Sequence, residues 1–251
     1  MAPHSLKVGC VPFLNARPLI YNLNVEVKLE FPSKLAVSLH NGDYDVALAP
    51  VMECFIHPHY KILNRAGIVS RGPVWSVLLV LRDKVDDWNR VRTIALDKTS
   101  LTSHYLTRVI CEKHLNIHAT YVNEGESADA DLWIGDRALD IRSKHHPARI
   151  KDLGECWHAF CGLPFLYAPW VVHKRAFAKQ DLLNQFIDES LRGLQYKEKI
   201  TQDATELAYL SKAIHYEVDE DVLAGLDLFR KQLVSLGVID HTTPQLEVMA
   251  L

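Results

Sequence analysis

Short apolar runs, each followed by a helix-start signal, recur along this chain, and the series stops once and begins again. The first series opens with an apolar segment over residues 6–11. A loop follows, and then Pro18-Leu19-Ile20-Tyr21, with proline in its favoured first helical turn. A strand over 25–31 alternates apolar and charged residues; Pro32-Ser33 then starts a helix over 34–40, which Asn41-Gly42 ends. Residues 45–51 make a buried strand. Residues 74–81 are almost wholly apolar and β-branched, and after a charged turn through 83–92 the series restarts at 93–96. It continues with a helix over 102–114 and strands over 119–122 and 131–134. Strands alternating with helices on loops this short predict parallel sheets covered on both faces.

The apolar segment 162–172 reads as a return crossing, and only helical patterns follow it. In those helices Leu182, Leu183, Phe186, Ile187 and Leu191, and later Val222, Leu226, Phe229 and Leu233, fall on one face, as packing elements do. The expected fold class is α/β and two-lobed, similar to the type II periplasmic binding proteins. Each lobe is a mixed, mostly parallel sheet flanked by helices. Lobe 1 takes 1–76 and 168–251, and lobe 2, inserted through two crossings, takes 77–167. A ligand cleft then lies between the lobes, where loops and helix starts meet the carboxyl ends of strands. With 251 residues, 48% of them hydrophobic, the chain can fill two cores.

Charge and motifs exclude several classes of function. Basic and acidic residues number 28 and 31 without a long single-sign run, so no nucleic-acid or polybasic membrane partner is expected. No window approaches the roughly 18 apolar residues of a membrane span, and residues 1–7 lack a signal-peptide core, so a cytoplasmic location is expected. Five scattered cysteines without a C-x-x-C pair fit reduced thiols. His57 and His59 are separated by Pro58, and His145-His146 precedes Pro147. Neither pair sits in an H-E-x-x-H pattern, so surface histidines and no metal are expected. Dinucleotide, P-loop and nucleophile-elbow glycine motifs are absent from the sequence. What remains is a cleft for a small anion.

Four loops could line that cleft. In Asp97-Lys98-Thr99-Ser100-Leu101-Thr102-Ser103-His104, hydroxyls gather at a helix start, where unpaired N–H groups attract anions; the alternative is an ordinary cap by Ser100 or Thr102. Asn15 precedes a proline-initiated helix, which it either caps or leaves to face a ligand. Ser70, Arg71, Trp75 and Ser76 surround the first crossing, and Trp75 alone reads equally as a packing residue. Gly135 lets a ligand approach a strand end, and Asp136 is read first as a cap of the next helix.

Taken together and in order, these loops resemble the chorismate dehydratases of futalosine-dependent menaquinone synthesis. The resemblance rests on VGCVPFLNARPL (8–19), GDYDVAL (42–48), GPVWSV (72–77), ALDKTSLTS (95–103), LWIGDRAL (132–139) and GLPF (162–165). It implies a binding-protein-like fold that converts chorismate to 3-[(1-carboxyvinyl)oxy]benzoate and water without a cofactor. Asn15 and Ser76 are the implied catalytic residues; Ser100, Thr102 and Ser103 match the segment receiving a substrate carboxylate, and Thr99 beside them is an expected substrate-binding residue. Arg17, Ser70, Trp75, Gly135 and Asp136 complete the expected substrate-binding set. The sequence departs from some relatives at Leu48-Ala49-Pro50-Val51, where they carry a serine; here only backbone could serve. No Asp, Glu or His in these loops is an unambiguous base, so the substrate's own enolpyruvyl carboxylate is the expected one. The implied partner is chorismate, a dicarboxylate, bound by a monomer or homodimer. Rival readings are a small-anion binding or sensing protein, and 1,4-dihydroxy-6-naphthoate synthase, whose N-terminal motif is richer in Ser, Pro and Cys.

Overall fold

The computed structural model describes residues 5–57 and 59–249; Pro58 and the first four residues of the N-terminal reading lie outside this set. The opening apolar run becomes β1 (Val8–Cys10), and Pro18 occupies the first turn of α1 (Arg17–Ile20). β2 (Val27–Leu29), α2 (Pro32–His40) and β3 (Val46–Leu48) follow as their hydropathy requires. Two elements that the pattern did not suggest come next, α3 (Met52–Ile56) and β4 (Lys61–Ser70). Asn64 and Arg65 hide β4, because their half-buried side chains break its apolar run; Arg65 reaches out to Asp188 at 2.6 Å.

The second series contains β5 (Val77–Leu81), β6 (Thr93–Leu96), α4 (Leu101–Ile110), β7 (Thr120–Asn123), β8 (Ala130–Ile134) and α5 (Gly135–Lys144). β9 (Ile150–Asp152) and α6 (Leu153–Cys161) were not expected. The return strand is β10 (Phe165–Val172). After it come α7 (Gln180–Gly193), α8 (Lys197–Ile200), α9 (Ala204–Ala208), a π-turn over Tyr209–Ala213, and α10 (Glu220–Ser235). The expectation of helices alone to the C-terminus fails at β11 (Glu247–Met249), which pairs in parallel with the start of β4. Three residues, two of them exposed, leave no apolar run to detect.

Strand order is β11-β4-β10-β3-β1-β2 in the first sheet and β7-β6-β8-β5-β9 in the second. In each sheet one strand opposes all the rest: β10 is antiparallel to β3 and β4, and β5 to β8 and β9. Each opposing strand is the one that has just arrived from the other sheet. Its amino end therefore lies beside its neighbours' carboxyl ends, so both crossings fall on the same edge as the βα loops. The return crossing precedes Phe165, which pairs with Ser70, three residues ahead of the expected boundary at Ala168.

Buried side chains fasten the crossings. One Asp152 oxygen accepts from the Val74 and Gly154 amides at 2.9 and 3.0 Å and the other from the Trp75 amide at 2.7 Å, tying the outgoing loop to the start of α6. Trp157 of α6 packs edge-on against Phe165 of β10 and Phe229 of α10, with ring centroids 5.1 and 6.0 Å away, so the C-terminal helix reaches the junction. At the first loop, α7 lies so close that a Cβ at Gly193 would collide with the Pro18 carbonyl. Ser190 of α7 donates to the Leu19 carbonyl at 2.8 Å, fixing α1 and the loop before it.

Candidate active site

A cavity opens where these loops meet, with about 560 Å³ of empty space, mouth included. Val11, Phe13, Asn15, Pro50, Ile68 and Tyr167 line it from the first sheet. Val74, Ser76, Ser100, Ser103, Ile134 and Gly135 line it from the outgoing crossing and the second. Of the eleven residues expected at the site, Asn15, Ser76, Ser100, Ser103 and Gly135 share this cavity. Its lining holds no Asp, Glu, His, Lys or Arg. The Tyr167 hydroxyl is kept far above its ordinary pKa, foremost by burial.

Asn15 and Ser76 are joined through a residue that the sequence did not suggest. Asn15 Nδ2 donates to the Tyr209 hydroxyl at 3.0 Å, and that hydroxyl donates to Ser76 Oγ at 2.8 Å. Asn15 Oδ1 is buried and has no partner. Tyr216 donates to the Asn15 carbonyl at 3.0 Å, so the segment read only as helical packing supplies two hydroxyls to the first loop. The contacts span 133, 194 and 201 residues and leave no local signature. Burial, first of all, also holds the Tyr209 hydroxyl well above its ordinary pKa, so it works as a neutral group.

The hydroxyl-rich helix start divides its labour. Ser100 is the N-cap of α4, accepting from the Ser103 amide at 3.3 Å, and the two hydroxyl oxygens lie 3.1 Å apart at the cavity wall. Capping and cavity lining thus coincide in one residue. Thr99 instead turns to Asp97. Thr102 accepts from the Met52 amide at 3.3 Å, a bond between the two sheets' elements.

Other expectations need correction. Trp75 faces away from the cavity: at φ +63° its ring swings to the far side of the crossing and stacks under Arg142 at 4.5 Å. Ser70 lies behind the wall, 3.1 Å from the Tyr167 hydroxyl. Arg17 is exposed and outside the lining; Arg71 pairs with Asp219 at 2.5 Å, and Arg137 with Glu124 at 2.9 Å. Asp136 does not cap α5. It accepts from the Leu14 amide at 3.1 Å, across the mouth. Burial raises its carboxyl pKa, against the Leu14 bond and Arg17, which lower it. Gly135, at φ +61°, sits under the Phe13 ring, where a Cβ would be 3.0 Å away. The Ala49 and Val51 amides already donate to the Pro169 and Tyr167 carbonyls, so neither N–H is left for a ligand.

Fold and site define a two-lobed α/β protein of the periplasmic-binding-protein-like kind, with a neutral, hydroxyl-lined cleft. The chain belongs to the family described as menaquinone biosynthesis, whose model matches residues 6–234. It is 30% identical over 202 residues to the chorismate dehydratase of Campylobacter jejuni subsp. jejuni serotype O:23/36 (strain 81-176), covering 80% of this chain and 76% of that one. The Archaeoglobus fulgidus protein AF1704 shares the fold, with TM-score 0.72, 16% identity, and 95% and 100% of the two chains covered. So does the Candida albicans CA3427 gene product, described as having the generic periplasmic binding protein fold, with TM-score 0.66, 16% identity, and 95% and 92% covered.

Proposed function

We propose that this chain is a hydro-lyase that converts chorismate to 3-[(1-carboxyvinyl)oxy]benzoate and water, as the futalosine route to menaquinone requires. Family membership and the dehydratase relative support the activity. The observation that carries the chemistry is a cleft where Asn15, Ser76, Ser100 and Ser103 converge without any side chain that titrates near neutral pH.

Such a cleft suits a substrate that supplies its own base. The enolpyruvyl carboxylate takes the C3 proton, and the C3–H electron pair spreads through the ring diene toward the ring carboxylate. The pair then expels the C4 hydroxyl, which leaves as water with the transferred proton, and the ring becomes aromatic. We assign the ring carboxylate to the Ser100 and Ser103 hydroxyls at the start of α4, where the helix dipole favours the charge that gathers there. Asn15 and Ser76 hold the hydroxyl and enolpyruvyl side of the ring in register for the transfer.

Five free cysteines, four of them buried, fit a reducing compartment, and we place the reaction in the cytosol. The test is incubation of purified protein with chorismate, followed by absorbance and mass. An aromatic product lighter than chorismate by the mass of one water is expected; saturable binding with no conversion would leave only a receptor.

A further inference from the structure

We propose that Tyr209, in the π-turn before α10, is a positioning residue that sets the hydrogen-bond polarity of the cleft. The inference rests on the assignment of Asn15 and Ser76 to the chemistry. A phenol has one proton to donate, and a neutral amide has distinct donor and acceptor ends. With its proton on Ser76 Oγ at 2.8 Å, the Tyr209 oxygen is left as an acceptor, which the Asn15 Nδ2 group fills at 3.0 Å. Both choices are then forced. Asn15 must keep its Oδ1 atom as a bare acceptor; that atom is buried without a partner among the described residues, in a side chain that lines the cavity. Ser76 already accepts from Tyr209, so its own proton donates elsewhere; here it goes to the Val74 carbonyl across a long 3.4 Å, a bond that a nearer ligand oxygen would displace.

Asn15 and Ser76 therefore contribute one acceptor and one donor in fixed places to this wall of the cleft. Chorismate offers the complement: a single ring hydroxyl for Asn15 Oδ1, and carboxylate oxygens for the Ser76 proton. Tyr209 is 1% exposed and is absent from the cavity lining, so it acts through these two side chains rather than on the substrate. Tyr216, bonded to the Asn15 carbonyl, fixes the same loop by its backbone. A π-turn displaces the chain from the helical path, a device often found at functional sites. Here it brings Tyr209 and Tyr216 to the first loop from one short segment.

The experiment is a double-mutant cycle on kcat and KM, using Tyr209→Phe, Ser76→Ala, and both together, with Asn15→Ala alongside. Tyr209→Phe keeps the ring and its packing. It should lower kcat about 10-fold to 100-fold with a smaller change in KM, and its effect should largely vanish in the Ser76→Ala background. A purely structural role would instead give additive losses. Full activity of Tyr209→Phe beside inactive Asn15→Ala and Ser76→Ala overturns the inference and leaves the assignment standing, whereas activity in all three overturns both.

Asn15→Asp provides a second route if Tyr209→Phe does not fold. An ionised carboxylate cannot donate to Tyr209 and would claim its proton, reversing the relay. Asn15→Asp should be impaired at neutral pH and regain activity on acidification, as a protonated Asp donates again. Wild-type rates in Asn15→Asp at neutral pH would overturn the inference.

Discussion

The two ends of the first sheet are built from opposite materials. At the carboxyl ends of its parallel strands, the cleft is lined by an amide, hydroxyls and apolar groups. At the amino ends, charge collects. Asp45, 1% exposed, accepts from the Lys7 amide at 2.9 Å, Arg175 Nε at 2.9 Å and Lys179 Nζ at 3.0 Å. Beside it His40, His57, His59 and His173 crowd around Tyr60, with neighbouring ring centroids 4.6–6.5 Å apart. One end is lined by neutral groups. The other uses charge to hold the strands. Chemistry and stability should therefore respond to different residues and to different pH ranges.

The largest separation is expected from Asn15→Ala and Ser76→Ala. Each should lower kcat about 10²–10³-fold, the scale for removing one preorganised polar contact to a transition state, with little change in thermal midpoint. A shift in midpoint without loss of rate would erase the distinction. Asp45→Asn is the mirror experiment. Burial raises the Asp45 carboxyl pKa, but the Lys7 amide, Lys179 and Arg175 outweigh burial and hold it below the usual value. Its charged hydrogen bonds are worth about 1.5–3 kcal/mol, discounted because Arg175 and Lys179 stay partly hydrated. Denaturant melts should show that loss while kcat remains unchanged.

Ser100→Ala should fall between the two, because Ser100 both caps α4 and lines the cavity. About 1 kcal/mol of stability should go with the cap, together with a rise in KM. Ser103→Ala, which removes no cap, should raise KM alone. The smallest effect is a difference in pH profile. Burial first, then neighbouring cations and histidines, holds His57, His59 and His173 below the ordinary value of 6.5. The folded chain then binds fewer protons than the unfolded chain, so their contribution is present above about pH 6.5 and lost as pH falls toward their folded values. Thermal midpoints should decline below that point, less steeply in His57→Gln. Meanwhile kcat/KM should stay flat from about pH 6 to 9, because the substrate's carboxylates are already ionised there. A bell centred near neutrality would reveal a side-chain base.

The sequence made one end of this comparison far easier to read than the other. The short apolar runs at 6–11, 45–51 and 93–96 and the capping pattern at Ser100 arise from neighbours in the chain, so β1, β3, β6 and the start of α4 were legible. The family motifs located Asn15 and Ser76 but not the group between them, because Tyr209 reaches them only after the chain has crossed between the sheets twice. Trp75 failed for a different reason. Its motif gave the right loop, but the positive φ that reverses its side chain comes from Asp152, 77 residues away, gripping its amide. β4 and β11 were missed because partly exposed polar residues carry no periodicity.

Two bonds cross the cleft mouth: the Leu14 amide to Asp136, and the Met52 amide to Thr102. At about 1 kcal/mol net for each, their contribution to holding the two lobes together is about 2 kcal/mol, which any parting of the mouth at these points must give up.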